Sequence, residues 1–224
     1  LARVLWPNSW RLGSQLAAQF AGATVFMTLC SHQFGVAVWG EYGLSVQLMN
    51  ISLGIAAVWT SVKWPAVAQL RLKGEREAMR RMLRPRYWLQ VGTFLVLAGT
   101  AVTVVPWLLE VSGSDKAMLP RGLLLLLALD ALGQLNFAWW TTLISTENRI
   151  PAFKAFIATQ GLSMGLAAVL VLGFGWGLGT LVVTPLVLGW LFNYWWWARE
   201  GSRMLGTTFP RFLIGSHAHA PATT

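Results

Sequence analysis

Asp130 is the one charged residue between Gly122 and Thr146, in a run that carries five consecutive leucines from Leu123 to Leu127. Gln134 and Thr141 recur on its helical face at close to 3.6-residue spacing. A carboxylate in so apolar a run is costly unless it is paired, protonated or facing water. Two readings satisfy it. Asp130, with Gln134 beside it, binds a coupling proton or cation, or it hydrogen-bonds a neighbouring helix as glue. Further polar residues recur near the N-terminus. Arg11, Gln15 and Gln19 stand four residues apart on one stripe, and Glu41, Ser45 and Ser52 form another, with Gln47, Asn50 and Gly54 roughly opposite. Amides, hydroxyls and isolated charges of this kind suit hydrogen bonding to polar groups. Polar faces on two successive helices are what the walls of an aqueous cavity need. Interhelical hydrogen bonding, and for Arg11 snorkelling to the membrane interface, is the structural alternative.

Catalytic patterns are missing. The chain has no phosphate-cradling glycine loop, no paired zinc-ligand spacing and no nucleophile elbow. His32 lies in a short loop and His217 and His219 in the tail, none with an obvious partner. A single cysteine, Cys30, excludes an intrachain disulfide and a Cys-based zinc cluster, and reads as a small buried side chain. The expectation is a protein that is not an enzyme and uses no cofactor or metal.

The elements that carry these residues follow from hydropathy. Apolar residues make up 55% of the 224 and charged ones 11%, against about a quarter in soluble domains. The charge needed for a water-facing surface is absent. A helix crosses the hydrocarbon core with about 20 mostly apolar residues, and the runs predict an all-α integral membrane bundle of about six spans. They lie roughly at 10–31, 36–62, 86–110, 120–145, 151–172 and 178–198. The long uncharged stretch from Ala155 to Ala198 breaks at Gly173-Phe174-Gly175-Trp176-Gly177. Pro120 and Pro151 suit helix first turns, and Pro185 should kink the sixth span. Outer-membrane strands alternate apolar and polar residues, which these runs do not.

The net charge of +9 is distributed as topology requires, not as a nucleic-acid surface. With the N-terminus in the cytoplasm, the inside segments hold Arg3, Arg11, Lys63, Arg71, Lys73, Arg76, Arg80, Arg81, Arg84, Arg86, Arg149, Lys154, Arg199, Arg203 and Arg211. Only Lys116 and Arg121 fall outside. Both termini are therefore expected in the cytoplasm, and the chain in the cell (inner) membrane. Trp6, Trp10, Trp59, Trp64, Trp88 and Trp195 to Trp197 mark the inner interface, and Trp39, Trp107 and Trp176 the outer one. Residues 71–86 are expected as an amphipathic helix on the inner surface, with Met79, Met82 and Leu83 on its apolar side. Residues 1–214 form the bundle and 215–224 a disordered tail. Starting at Leu1 with no signal-peptide pattern, the chain reads as the later part of a longer protein or as one trimmed at its N-terminus.

Three stretches carry a resemblance. They are Trp6-Pro7-Asn8-Ser9-Trp10-Arg11; then Gly40-Glu41-Tyr42-Gly43-Leu44-Ser45-Val46-Gln47-Leu48, followed by Trp64 to Glu75; and Thr146-Glu147-Asn148-Arg149-Ile150-Pro151. In these, and in span layout from about Trp6 to Arg203, the chain resembles the C-terminal half of a polysaccharide flippase. These are the oligosaccharide-lipid flippases of the multidrug/oligosaccharidyl-lipid/polysaccharide exporter superfamily. The resemblance implies one lobe of a two-lobed transporter that moves lipid-linked oligosaccharide or polysaccharide repeat units across the membrane by alternating access. The first two spans then line the cavity. Arg11, Gln15, Gln19, Glu41, Gln47 and Asn50 are its expected pathway residues, and Asp130 and Gln134 its ion-coupling pair. The implied partners are the bilayer, the lipid-linked saccharide and a missing N-terminal six-helix half, with no nucleic acid. Two departures stand out: only one bundle is present, and only Arg11, opposed by Glu41, offers the positive charge described for flippases of anionic cargo. A drug or metabolite antiporter lobe of the same superfamily, and a membrane scaffold with no pathway, are the other readings.

Overall fold

The computed structural model describes residues 2–147 and 150–215. Leu1, Asn148, Arg149 and the tail from 216, with His217 and His219, lie outside the described residues, as do the side chains of residues 2–5 and 7, Arg3 among them. The described residues are overwhelmingly helical and contain no strand.

The first element, α1 (Ala2–Ser61), is 60 residues long. A straight helix of that length spans about 90 Å, three times the roughly 30 Å hydrocarbon core. It is not straight. Gly35 sits at φ 88°, ψ 169°, a region essentially reserved for glycine, and there the chain doubles back. The two limbs, 2–34 and 36–61, lie side by side: the Met27 methyl is 3.6 Å from where a Cβ on Gly43 would stand. Phe26, Cys30, Tyr42 and Met49 are buried along the hairpin. The turn expected around Ser31, His32 and Gln33 therefore falls slightly later, because those three residues stay helical and only Gly35 takes the required φ.

After a short turn come α2 (Trp64–Leu72) and α3 (Arg76–Val111), joined through Gly74 at φ 74°. Here the expectation of a single in-plane helix over 71–86 is corrected. Arg71 and Leu72 end α2, while Arg76 to Arg86 form the first turns of the helix that continues as the third apolar run. Met79 and Leu83 are buried against protein. α4 (Arg121–Ser145) starts directly after Pro120. α5 (Phe153–Ala168) is prolonged by a π-helical turn, Val169–Gly173. Then α6 (Gly179–Leu188), which holds Pro185, runs through a second π-helical turn, Gly189–Asn193, into α7 (Tyr194–Met204). A short α8 (Phe209–Ile214) follows.

Among the described residues four helical stretches are long and apolar enough to cross a membrane: Asn8–Leu72, Arg76–Val111, Arg121–Ser145 and Phe153–Gly173. The folded-back first stretch supplies two limbs. The sixth expected run is not among them, and Asn193, Tyr194 and four tryptophans occupy its second half. The core has two parts. One is mostly aliphatic, between the α1 hairpin, α3, α4, α5 with its π turn, and α6. The other is aromatic: Tyr87 packs against Trp139, Trp140 and Phe212 with ring centroids 5.1–6.3 Å apart. Trp197, expected at the interface, is instead buried in this second part.

Basic side chains tie the elements together at the aromatic end. Arg71 bonds Thr146 and Glu147 after α4. Arg80 donates to the Gly206 carbonyl at 3.4 Å, and the Arg84 Nε and Trp88 Nε1 each donate to the Leu213 carbonyl at 3.2 Å. The last carbonyls of α8 thus receive the donors that a helix end lacks. At the opposite end, the Leu119 N–H donates to Ser45 Oγ at 3.1 Å, holding the loop before α4 against the hairpin.

Candidate functional site: a polar cavity inside the bundle

Helical spacing places Gln15, Gln19, Gly22 and Phe26 on one face of the first limb of α1, and Tyr42, Val46 and Asn50 on the facing side of the second. Together with α4, α5 and the α6–α7 unit, these residues line a half-open cavity of about 400 Å³. That volume lies within the range of small-molecule sites. Asp130, Gln134 and Thr141 reach it from α4, Thr159, Gln160 and Ser163 from α5, and Asn193 and Tyr194 from the second π turn and α7.

Asp130 is buried and hydrogen-bonded at both oxygens. Tyr194 donates its hydroxyl to Asp130 Oδ1 at 2.7 Å, and Gln134 Nε2 donates to Oδ2 at 2.8 Å. The tyrosine reaches this position because both helices that flank its ring present glycine. A Cβ on Gly133 or on Gly189 would fall on the ring itself. The Tyr194 carbonyl in turn accepts from Asn136 Nδ2 at 2.6 Å. Asn136 Oδ1 accepts from Tyr87 at 2.9 Å and from Trp140 Nε1 at 3.0 Å. One hydrogen-bonded chain therefore links the cavity carboxylate to the aromatic core.

The rest of the lining keeps spare capacity. Asn193 Nδ2 donates to Thr159 Oγ1 at 2.8 Å, yet Asn193 Oδ1 has no partner among the described residues. Ser163 Oγ, also buried, has none either. Buried polar atoms are rarely left unpaired, so these two atoms call for water or ligand in the cavity. No Lys or Arg among the described residues lines it. No group of three His, Cys, Asp or Glu side chains comes together among the described residues as a metal site requires.

The residues singled out from sequence divide into three groups. Gln15, Gln19, Asn50, Asp130 and Gln134 converge on the cavity. Glu41 and Gln47 line a neighbouring groove of about 680 Å³, alongside Asp115 and Lys116, which shares Asn50, Val46 and Ala23 with the cavity wall. Arg11 lies in neither. Its guanidinium packs 5.4 Å from the centroid of the Phe153 ring, because α5 begins beside the outer reach of that stripe. Ser45 and Ser52 are buried and bond backbone at Glu41 and Leu48. Sequence reasoning did not find Tyr194, Asn136, Gln160 or Asn193. Tyr194 and Asn193 adjoin a tryptophan run that reads as interface, and only the π turn rotates them inward. Gln160 was detectable, as the single amide in the fifth run. No protein-family model, no curated protein and no solved structure matches this chain.

Proposed function

We propose that this chain is a transporter lobe: six membrane passes that form one wall of a pathway for the polar headgroup of a lipid-linked saccharide. The passes are the two limbs of α1, then α3, α4, α5 with its π turn, and the α6–α7 unit. The observation that carries the proposal is a polar cavity inside an otherwise apolar bundle. Gln19, Asn50 and Gln134 are exposed toward it at positions where a lipid-facing residue would be apolar. An amide facing hydrocarbon leaves its donors unmet, at a cost of several kcal/mol on the order of the alkane-transfer values. Water, a ligand or a facing lobe removes that cost. The headgroup passes through the cavity while its lipid tail remains in the bilayer, and no covalent step is asked of the protein. The resemblance of the Trp6–Arg11, Gly40–Leu48 and Thr146–Pro151 stretches to polysaccharide flippases gives the cargo class, and a second six-helix half completes the two-lobed arrangement.

Asp130 is the candidate coupling group in this reading. A proton or cation that binds there competes with Tyr194 and Gln134 for the carboxylate oxygens. Weakening of the Tyr194 bond would loosen the α4–α7 contact and so couple binding to helix motion. The same single carboxylate, in a cavity without cations, also suits the lobe of an antiporter for cationic drugs or metabolites. Cargo chemistry separates the two.

Single-cysteine accessibility tests the pathway. In a Cys30→Ala background, cysteine is placed at Gln19, Asn50 and Ala138, with exposed Ser114 as the loop control. Labelling of the three interior positions by a membrane-impermeant reagent supports a water-filled pathway. Protection of all three while Ser114 reacts leaves a sealed bundle, and a membrane scaffold becomes the better reading.

A further inference from the structure

The cavity lining specifies more than a polar ligand. Six carboxamides face it: Gln15, Gln19, Asn50, Gln134, Gln160 and Asn193. An amide presents donors and acceptors together, which matches a hydroxyl group that is both. Phe26, Tyr42, Phe137 and Phe156 add apolar faces of the kind a pyranose ring packs against. The chain carries 17 Lys and Arg residues, yet none of those described reaches the cavity, while the carboxylate of Asp130 does. An anionic sugar entering this space loses hydration and meets like charge with no counter-ion. A cationic one finds a carboxylate that already accepts one hydrogen bond on each oxygen, which weakens its pull on an ammonium group.

Resting on the transport reading above, we infer that this lobe selects an uncharged, hydroxyl- and amide-bearing sugar ring. It disfavours acidic sugars and gains little from amino sugars. The unpartnered Asn193 Oδ1 and Ser163 Oγ, an acceptor and a hydroxyl buried in the wall, are the contacts an amide N–H and a ring hydroxyl would fill. The phosphate linkage of a lipid-linked donor finds no Lys or Arg among the described residues of this cavity, so its counter-charge falls to the second half.

The test uses the full chain in nanodiscs, with cysteine at Ala138 in the Cys30→Ala background, so that all six amides remain. Labelling of Ala138→Cys is timed with N-acetylglucosamine, glucosamine or glucuronate, three probes on one ring, at equal concentration and ionic strength. The inference expects N-acetylglucosamine to slow labelling about three-fold or more, the other two to slow it less, and Ser114→Cys to be unaffected by any. In Asp130→Asn, glucuronate should protect more nearly as well as the neutral sugar. Strongest protection by glucuronate, or by glucosamine, overturns the charge selection and leaves the pathway standing. Labelling that no sugar slows overturns the sugar site alone. No labelling of Ala138→Cys at all removes the pathway itself, and the selectivity with it.

Discussion

At the scale of single residues, Asp130 is decided by its partners. A carboxylate buried among leucines survives because a tyrosine hydroxyl and an amide each give it a donor. Tyr194→Phe removes one donor and changes nothing else in the ring, so Asp130 Oδ1 is left buried and unpaired. The expected loss is about 1–3 kcal/mol, read as a lower unfolding midpoint of the purified chain in detergent. An unchanged midpoint would mean that water replaces the hydroxyl and that the cavity reaches deeper than Tyr194. The glycines beside the ring make a second expectation. Gly133→Ala puts a methyl group where the Tyr194 ring lies, and overpacking of this kind costs about 1–3 kcal/mol. Gly54→Ala, with open space around its Cβ, is the matched control and should be neutral or slightly stabilising, since alanine favours helix. Equal midpoints for the two variants would show that Tyr194 moves freely, and the Asp130 linkage would lose its structural weight.

At the scale of elements, the apolar runs were legible because hydrocarbon allows few alternatives. Twenty uncharged residues in a row must be helix, and the third, fourth and fifth runs lie where hydropathy placed them. The position of the first turn was not legible, since it depends on one backbone angle in a chain with 22 glycines, most of them in ordinary helix. Polar residues at 31–33 looked like a loop, but their side chains do not prevent helix, whereas Gly35 at φ 88° does end it. Gly35→Ala is therefore expected to strain the hairpin by about 1–3 kcal/mol and to lower the yield of folded chain, measured by size-exclusion chromatography. Gly40→Ala, five residues on in helical backbone, should not. The stripe through Gln15 and Gln19 was legible from spacing alone. Arg11 failed to join it because periodicity says which face a residue occupies and not where along the helix its neighbour ends. The α6–α7 unit was the least legible. A π turn adds a residue to the ring of hydrogen bonds and rotates everything after it, which is how Asn193 and Tyr194 turn inward from a run that otherwise reads as interfacial.

At the scale of the whole molecule, charge distribution and contacts agree on which residues share an end. Arg71, Arg80 and Arg84 each bond backbone or side chains from a distant part of the chain, gathering α2, the start of α3, the end of α4 and α8 into one basic cluster. Lys116 lies at the other end, beside Glu41 in the groove next to the Gly35 turn. If Lys and Arg are retained on the cytoplasmic side, the basic cluster is the expected inner end. The expectation is that Ser114→Cys, in intact cells, reacts with an impermeant maleimide, while Thr208→Cys, between α7 and α8, reacts only after the membrane is opened. Both variants are made in the Cys30→Ala background. The contacts put the two sites at opposite ends, because Thr208 adjoins Gly206, which Arg80 holds, and Ser114 lies five residues before Leu119, which Ser45 anchors. Reaction of Thr208→Cys from outside, with Ser114→Cys protected, would put the basic cluster on the wrong side. The cavity geometry would survive that result, but the expected cytoplasmic placement of both termini would have to be reversed.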